Sequence, residues 1–158
     1  MTASNAVAEI LARADAFAGV LEDAAGKPEE GLASGRWTSV EYGGHVRDML
    51  LVQRDRVLLA RREDVPEAAP MGRDERVAWG EYDGLDPVET ARQVRQTAGW
   101  LAGTLGRMTP GEWRRRLVYN YPARAERTLE WLAANVVHEL VHHELDVRQN
   151  LGTDGSAR

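Results

Sequence analysis

The chain has 158 residues, of which 43% are hydrophobic and 28% charged, and this balance is typical of a globular protein with one domain, residues 1–158. It contains no cysteine, which excludes disulfides, zinc ribbons and iron–sulfur clusters. The formal net charge is −5, and the one dense basic cluster is Arg114 to Arg116, so nucleic-acid binding is not favoured.

Nothing in the first residues predicts export or membrane insertion. The N-terminal segment carries acidic residues and lacks a basic region before its apolar part, unlike a signal peptide. No run of about 18 apolar residues is present, so no membrane span is predicted. We therefore expect a cytoplasmic protein without a membrane partner.

Apolar residues recur at three- and four-residue intervals along four segments, which predicts four long helices. The first covers residues 3–25 and is followed by a loop over 26–37. The second starts after Thr38, which forms a capping-box pattern with Glu41, and runs to about Arg62; Trp37 is placed to act as a hydrophobic staple. Two glycines in its first turns, Gly43 and Gly44, fit either close approach of a backbone or ligand, or a simple helix crossing.

The second half of the chain contains the other two long helices. Residues 63–85 form a long connection with one short helical turn near 73–79, and its length is typical of a segment that covers a site. The third helix follows the N-cap Asp86 and ends near Arg107, and a second capping pattern at Thr109 predicts a short turn. Residues 114–127 form an arm with one short extended piece, and the fourth helix runs from about Thr128 to Asn150.

Three of the four histidines lie within six residues of the fourth helix. His138 and His142 are one turn apart on one face and can share a metal ion, whereas His143 points about 140° away from His138. The helix is apolar on two sides, so the pair is read either as core histidines or as ligands. His45 lies on an apolar face of the second helix and can meet the pair across a bundle.

The sequence from His138 to His142 also spells H-E-x-x-H, the zinc-binding helix of many metalloproteases. The extended form of that motif needs glycine at 145 and histidine at 148, where this chain has Leu145 and Arg148. The third ligand must therefore come from upstream, and a protease is not favoured. Glu139 is then interpreted as a solvated or salt-bridged carboxylate rather than as a catalytic base.

A histidine in "WTSVEYGGHVRDML", followed about 90 residues later by H-x-x-x-H in "TLEWLAANVVHELVHHELDV", resembles the DinB/YfiT-like superfamily of metal-binding proteins. The similarity covers nearly the whole chain and is greatest to actinobacterial DinB-like members and to the N-terminal domain of mycothiol-dependent maleylpyruvate isomerase. It implies an all-α, four-helix bundle of DinB/YfiT type that forms a homodimer. It also implies one divalent metal ion held by His45, His138 and His142, with zinc or nickel expected before iron.

Some members of this superfamily use a low-molecular-weight thiol such as mycothiol as cosubstrate, so the resemblance implies a metal-dependent thiol S-transferase acting on a small electrophile. Two alternatives stay open: a DinB-like stress-response protein that binds metal without catalysis, and a metal-dependent hydrolase. The maleylpyruvate isomerase type carries glutamate where this chain has His138, and its second domain is absent here. Isomerase activity is therefore not expected.

Further residues are candidates for roles around the metal. Arg56 lies on the His45 face and suits a substrate carboxylate. Asn135 and Trp131 lie close to the predicted histidine face and are candidate substrate-binding residues. The candidate acceptors for ligand imidazole N–H groups are Glu41, Asp48 and Asp146.

Overall fold

The structure is a computed structural model that describes residues 3–29, 32 and 34–153. Its elements in chain order are α1 (Ala3–Asp23), α2 (Ser39–Arg62), α3 (Arg73–Ala78), α4 (Pro87–Gly106), α5 (Pro110–Trp113), β1 (Arg116–Tyr119), β2 (Ala125–Thr128) and α6 (Leu129–Asn150). The four long helices and both short turns fall where the sequence predicts them. Residues 30, 31 and 33 of the predicted loop lie outside the described residues.

Local capping fixes where the helices start. The Thr38 side chain accepts a hydrogen bond from the Glu41 backbone, and the Glu41 carboxylate accepts one from the Thr38 backbone. The Trp37 and Tyr42 rings, 5.4 Å apart between centroids, complete the predicted staple. At α4, the Asp86 side chain accepts from the backbone of Glu89. Such caps each stabilise a helix end by about 1 kcal/mol.

The four long helices surround the core in the order α1, α4, α2, α6, so the two consecutive helices α1 and α2 lie on opposite corners. Each helix contributes fully buried large side chains, for example Phe17, Leu50, Leu101 and Leu140. Burying one such side chain stabilises the fold by roughly 1.5–3 kcal/mol. The arrangement makes α2 and α6 neighbours, which is the prerequisite for a site between them.

A β-hairpin extends the bundle at the arm between α5 and α6. Strand β1 pairs with β2 in antiparallel register, with Arg116 opposite Thr128. The extended piece was predicted, whereas β2 was not, because its sequence "AERT" is charged and has no apolar alternation. The backbone of Val118 also exchanges hydrogen bonds with Pro66 and Ala68, so the segment after α2 lies alongside β1.

The connection from 63 to 85 is fastened to α2 by Tyr82. Its ring is buried against Gly44, where an added Cβ would lie 2.4 Å from Tyr82 Cδ1, and its hydroxyl is 3.1 Å from Asp48 Oδ2. At Gly43 an added Cβ would meet Leu21 of α1 at 2.6 Å. Both glycines therefore leave room for a side chain of a neighbouring element. Gly43 lies at a helix crossing, and Gly44 contacts the Tyr82 ring rather than a backbone or ligand.

Within the described residues, none of the helices combines the length and the apolar character that crossing a membrane requires.

Candidate metal centre

Two buried histidines face each other across the α2–α6 contact. His45 of α2 and His143 of α6 are each 3% exposed. Their ring centroids are 4.8 Å apart and the rings are perpendicular, with an interplanar angle of 89°. Trp37 lies edge-on to His45 and Tyr42 lies against His143, so aromatic rings cover the pair on one side.

Glu139 completes the cluster from one turn earlier on α6. Its Oε2 atom lies 3.5 Å from Nε2 of His143, and one ligand atom each from His45, Glu139 and His143 lie within 4.8 Å of one another. Neither His45 Nδ1 nor His143 Nε2 has a hydrogen-bond partner, although both are buried. Buried polar atoms are normally satisfied, so this arrangement fits a cation bound between the three side chains.

Asp146 fixes the orientation of the His143 ring. Its Oδ2 atom is 3.0 Å from His143 Nδ1. Since a carboxylate accepts, Nδ1 carries a proton, so in the neutral ring the lone pair belongs to Nε2, which lies 3.5 Å from Glu139 Oε2. This is the carboxylate–histidine arrangement that accompanies metal-ligating imidazoles.

Burial and charge set the protonation of the cluster. Burial, assisted by the neighbouring His143, lowers the pKa of His45 to about 3, so its ring is neutral near pH 7. Burial opposes protonation of His143 as well, but the Asp146 and Glu139 carboxylates raise its pKa overall. The His143 ring in turn lowers the pKa of Glu139 against the effect of burial, so the carboxyl group is ionised.

Two imidazoles and one carboxylate form a ligand set that suits zinc, and also iron or nickel. Three protein ligands leave coordination positions for a substrate, as in catalytic rather than structural sites.

A cavity of about 220 Å³ adjoins the cluster and is lined by His45 and Glu139. Part of the 63–85 connection, including Met71 and Arg73, forms one wall of this cavity.

The prediction that His138 and His142 form the inward pair of α6 is wrong, because both are exposed. Their rings stack parallel at 6.1 Å on the outer face, and His142 lies 3.7 Å from Asp146. Among the described residues, no group of converging ligand atoms includes His138 or joins His142 to His45. The structure therefore brings His45 together with Glu139 and His143, and of the two positions expected for Glu139, solvated or salt-bridged, it shows the carboxylate partly buried and paired with His143.

A signal for the inward position of His143 was present in the sequence. The buried residues of α6 recur every three or four positions and include His143: Leu129, Leu132, Val136, Leu140, His143, Val147 and Asn150. His143 thus belongs to the apolar stripe, and Glu139 lies one turn before it with the same four-residue spacing as His138 and His142. Spacing alone could not choose between the two pairs, whereas membership of the stripe identifies His143 as the inward-facing histidine.

The other candidates divide between the cavity and the periphery. Arg56 and Asn135 line the cavity beside the cluster. Trp131 packs against Tyr119, with ring centroids 5.2 Å apart, and is not among the cavity-lining residues.

Of the three predicted acceptors for imidazole N–H groups, Asp146 contacts a histidine of the cluster, namely His143. Asp48 binds Arg76 and Tyr82. Glu41 caps α2 instead.

Comparison with known proteins agrees with this architecture. The family model described as the DinB superfamily matches residues 6–146. Among solved structures, the chain is similar to YfiT from Bacillus subtilis, with a TM-score of 0.74 and 18% identity over 95% of this chain and 87% of that chain. That protein is described as a probable metal-dependent hydrolase with an unusual four-helix bundle topology. A search of curated proteins gave no match.

Proposed function

Because the chain belongs to the DinB superfamily, we propose that it binds one divalent metal ion through His45, Glu139 and His143 and uses it to transform a small molecule. The observation that carries this proposal is the pair of buried, unpartnered ring nitrogens beside the partly buried Glu139 carboxylate. A divalent cation would satisfy all three groups at once and offset the cost of burying them.

The protein's own residues prepare this site. Asp146 holds the proton on Nδ1 of His143, burial keeps His45 neutral, and Glu139 supplies a negative charge. The cavity gives a small molecule access to the cluster from one side, while Trp37 and Tyr42 close another. When bound, a divalent ion supplies the positive charge that stabilises a thiolate or activates a water molecule.

Thiol S-transfer, with a mycothiol-type cosubstrate and an electrophile, is the reaction we favour. Glu139 and His143 have the glutamate-x-x-x-histidine spacing of the maleylpyruvate isomerase type, which supports a thiol cosubstrate. The chain has no cysteine of its own, so the thiol would come from the cosubstrate. The second candidate is hydrolysis, which is favoured by the description of YfiT, and metal binding without catalysis is the third.

Metal content tests the ligand assignment. We expect about one divalent ion per chain in the wild type and in His138→Ala/His142→Ala, and a large loss in Glu139→Gln, measured by elemental analysis after dialysis. The Glu139→Gln change is nearly isosteric, so it removes a ligand charge without opening a cavity. Loss of metal from the double variant with retention in Glu139→Gln would instead support the triad predicted from the sequence.

Turnover tests the reaction. Zinc- or nickel-loaded protein should accelerate conjugation of mycothiol to chlorodinitrobenzene, and the acceleration should disappear in Glu139→Gln. Cleavage of nitrophenyl acetate without thiol is the parallel assay for a hydrolase. Ester cleavage without conjugation would reverse the order of the two candidates, and inactivity in both assays would favour a binding protein.

A further inference from the structure

A charged residue lies at the far end of the cavity that adjoins the metal cluster. Arg56 follows His45 on α2 by eleven residues, a rise of about 16 Å along the helix. Both side chains nevertheless line the same cavity. A molecule bound in this cavity can therefore meet the metal cluster with one end and a guanidinium group with the other.

The guanidinium is held in place by neutral partners. Its Nη1 atom donates to Tyr119 Oη at 3.1 Å and to Gln53 Oε1 at 3.3 Å, and Nη2 donates to the Ala69 carbonyl at 2.6 Å. The group also lies over the Tyr119 ring, 4.7 Å from its centroid. These bonds use three of the five guanidinium N–H groups and hold the group in one orientation.

In the part of the chain that the structure describes, the groups that act on Arg56 are neutral and no carboxylate lies within ion-pairing distance of its guanidinium. Burial lowers the pKa of Arg56, yet an arginine stays protonated in proteins. A half-buried cation without a counter-ion is costly, and a bound anion would reduce that cost. The fixed orientation and the missing counter-ion together are the properties of an anion-binding residue.

The surroundings select a particular anion. Arg56 is one cation, and its planar fork matches a carboxylate. The other charged residues that line the cavity are Arg73, Asp74, Glu75 and Glu139, so acids outnumber arginines there and disfavour a dianion such as a phosphate monoester. Between the two ends, the wall is formed by the aliphatic side chains of Met49 and Val52, which suit a carbon chain.

We propose that Arg56 binds the carboxylate of an elongated organic acid whose opposite end reaches the metal cluster. The identity of the reacting end rests on the proposed function, whereas carboxylate binding by Arg56 does not. The substrate class is then a linear carboxylic acid. Its electrophilic carbon lies at the end of the molecule opposite the acid group.

The test uses metal-free protein and hexanoate as probe, with hexanamide as the uncharged match. Side-chain Nε–H resonances of ¹⁵N-labelled arginine are followed by NMR. We expect hexanoate to shift the Arg56 resonance in a saturable way and hexanamide to bind at least tenfold more weakly, since a charge-assisted pair is lost. Equal shifts from acid and amide in the wild type would overturn the proposal without any variant.

Variants of two arginines then distinguish carboxylate recognition by Arg56 from a general effect of positive charge. Arg56→Gln should weaken hexanoate binding at least tenfold, and Arg56→Lys should weaken it less. Arg54→Gln, on the same helix and paired with Asp55, should bind like the wild type. Equal losses in Arg54→Gln and Arg56→Gln would contradict the proposal.

A metal-site variant tests the carboxylate-binding proposal independently of the metal-binding proposal. Glu139→Gln should still bind hexanoate, so failure of metal binding leaves this result intact. Conversely, a protein that binds metal but does not distinguish acid from amide would refute the carboxylate site alone.

Discussion

In the proposed metal site, the affinity for metal depends on the orientation of one imidazole, that of His143. Asp146 holds His143 through Nδ1 and leaves Nε2 directed towards Glu139. We predict that Asp146→Ala lowers metal affinity about 10–100-fold with the fold retained, because the ring loses its orienting acceptor. Competition with a chromogenic chelator measures the change.

Glu144 offers the matched control for this change. It lies two residues away on α6 and pairs with Arg148 at 2.8 Å rather than with a histidine. Glu144→Ala should therefore leave metal affinity unchanged. If both variants lost affinity equally, the effect would come from general negative charge and not from the hydrogen bond to His143.

The candidate ligands show that a prediction from sequence must place the inward face of a helix to within one residue. The pairs His138/His142 and Glu139/His143 have the same spacing and differ by one residue, which corresponds to a rotation of about 100°. The inward position of His45 was predicted correctly because Met49 marks the buried face of α2. On α6 the choice depends on which apolar stripe packs inward, and α6 is apolar on two sides, so spacing could not decide between the pairs.

At the scale of elements, one glycine determines how the 63–85 connection packs on α2. An added Cβ at Gly44 would lie 2.4 Å from the Tyr82 ring, which is 1% exposed, so the ring or the helix would have to shift. We predict that Gly44→Ala destabilises the protein by about 1–3 kcal/mol despite the better helix propensity of alanine. Urea unfolding measures the loss, and faster proteolysis within 73–84 would locate it.

Gly99 supplies the comparison, since a Cβ there would meet nothing within 4 Å. Gly99→Ala should leave the stability unchanged or raise it by up to about 1 kcal/mol. The Gly44→Ala and Tyr82→Ala changes should also be non-additive, because the second removes the ring with which the first collides. Additive losses would mean that the clash with Tyr82 is not the cause.

The sequence predicted the long helices better than it predicted the strands. The long helices were predictable because their signals are local: the capping box at Thr38, the N-cap Asp86 and regular apolar spacing. Strand β2 was not, since its charged residues pair with β1 through the backbone and carry no pattern of their own. Likewise, the sequence left open whether Gly44 allows close approach of a neighbour or marks a helix crossing, and only the fold identifies Tyr82 as its neighbour.

At the scale of the whole molecule, the order of the helices brings distant parts of the chain together at the candidate metal site. Because α1 and α2 occupy opposite corners, α2 lies beside α6, and the three candidate ligands come from these two helices. The unfolded chain holds His45 and Glu139 94 residues apart in sequence. Metal binding should therefore favour the folded state strongly over the unfolded one.

We predict that zinc at about 100 times its dissociation constant stabilises the protein by about 2.7 kcal/mol, which corresponds to a rise in Tm of about 5–10 °C for a chain of this size. Differential scanning calorimetry measures the shift, and excess chelator should reverse it. The rise should persist in His138→Ala/His142→Ala, whose substitutions lie on the exposed face, and vanish in Glu139→Gln. A rise that survives in Glu139→Gln would place the stabilising ion elsewhere, because without that carboxylate the two imidazoles alone must hold it across the α2–α6 contact.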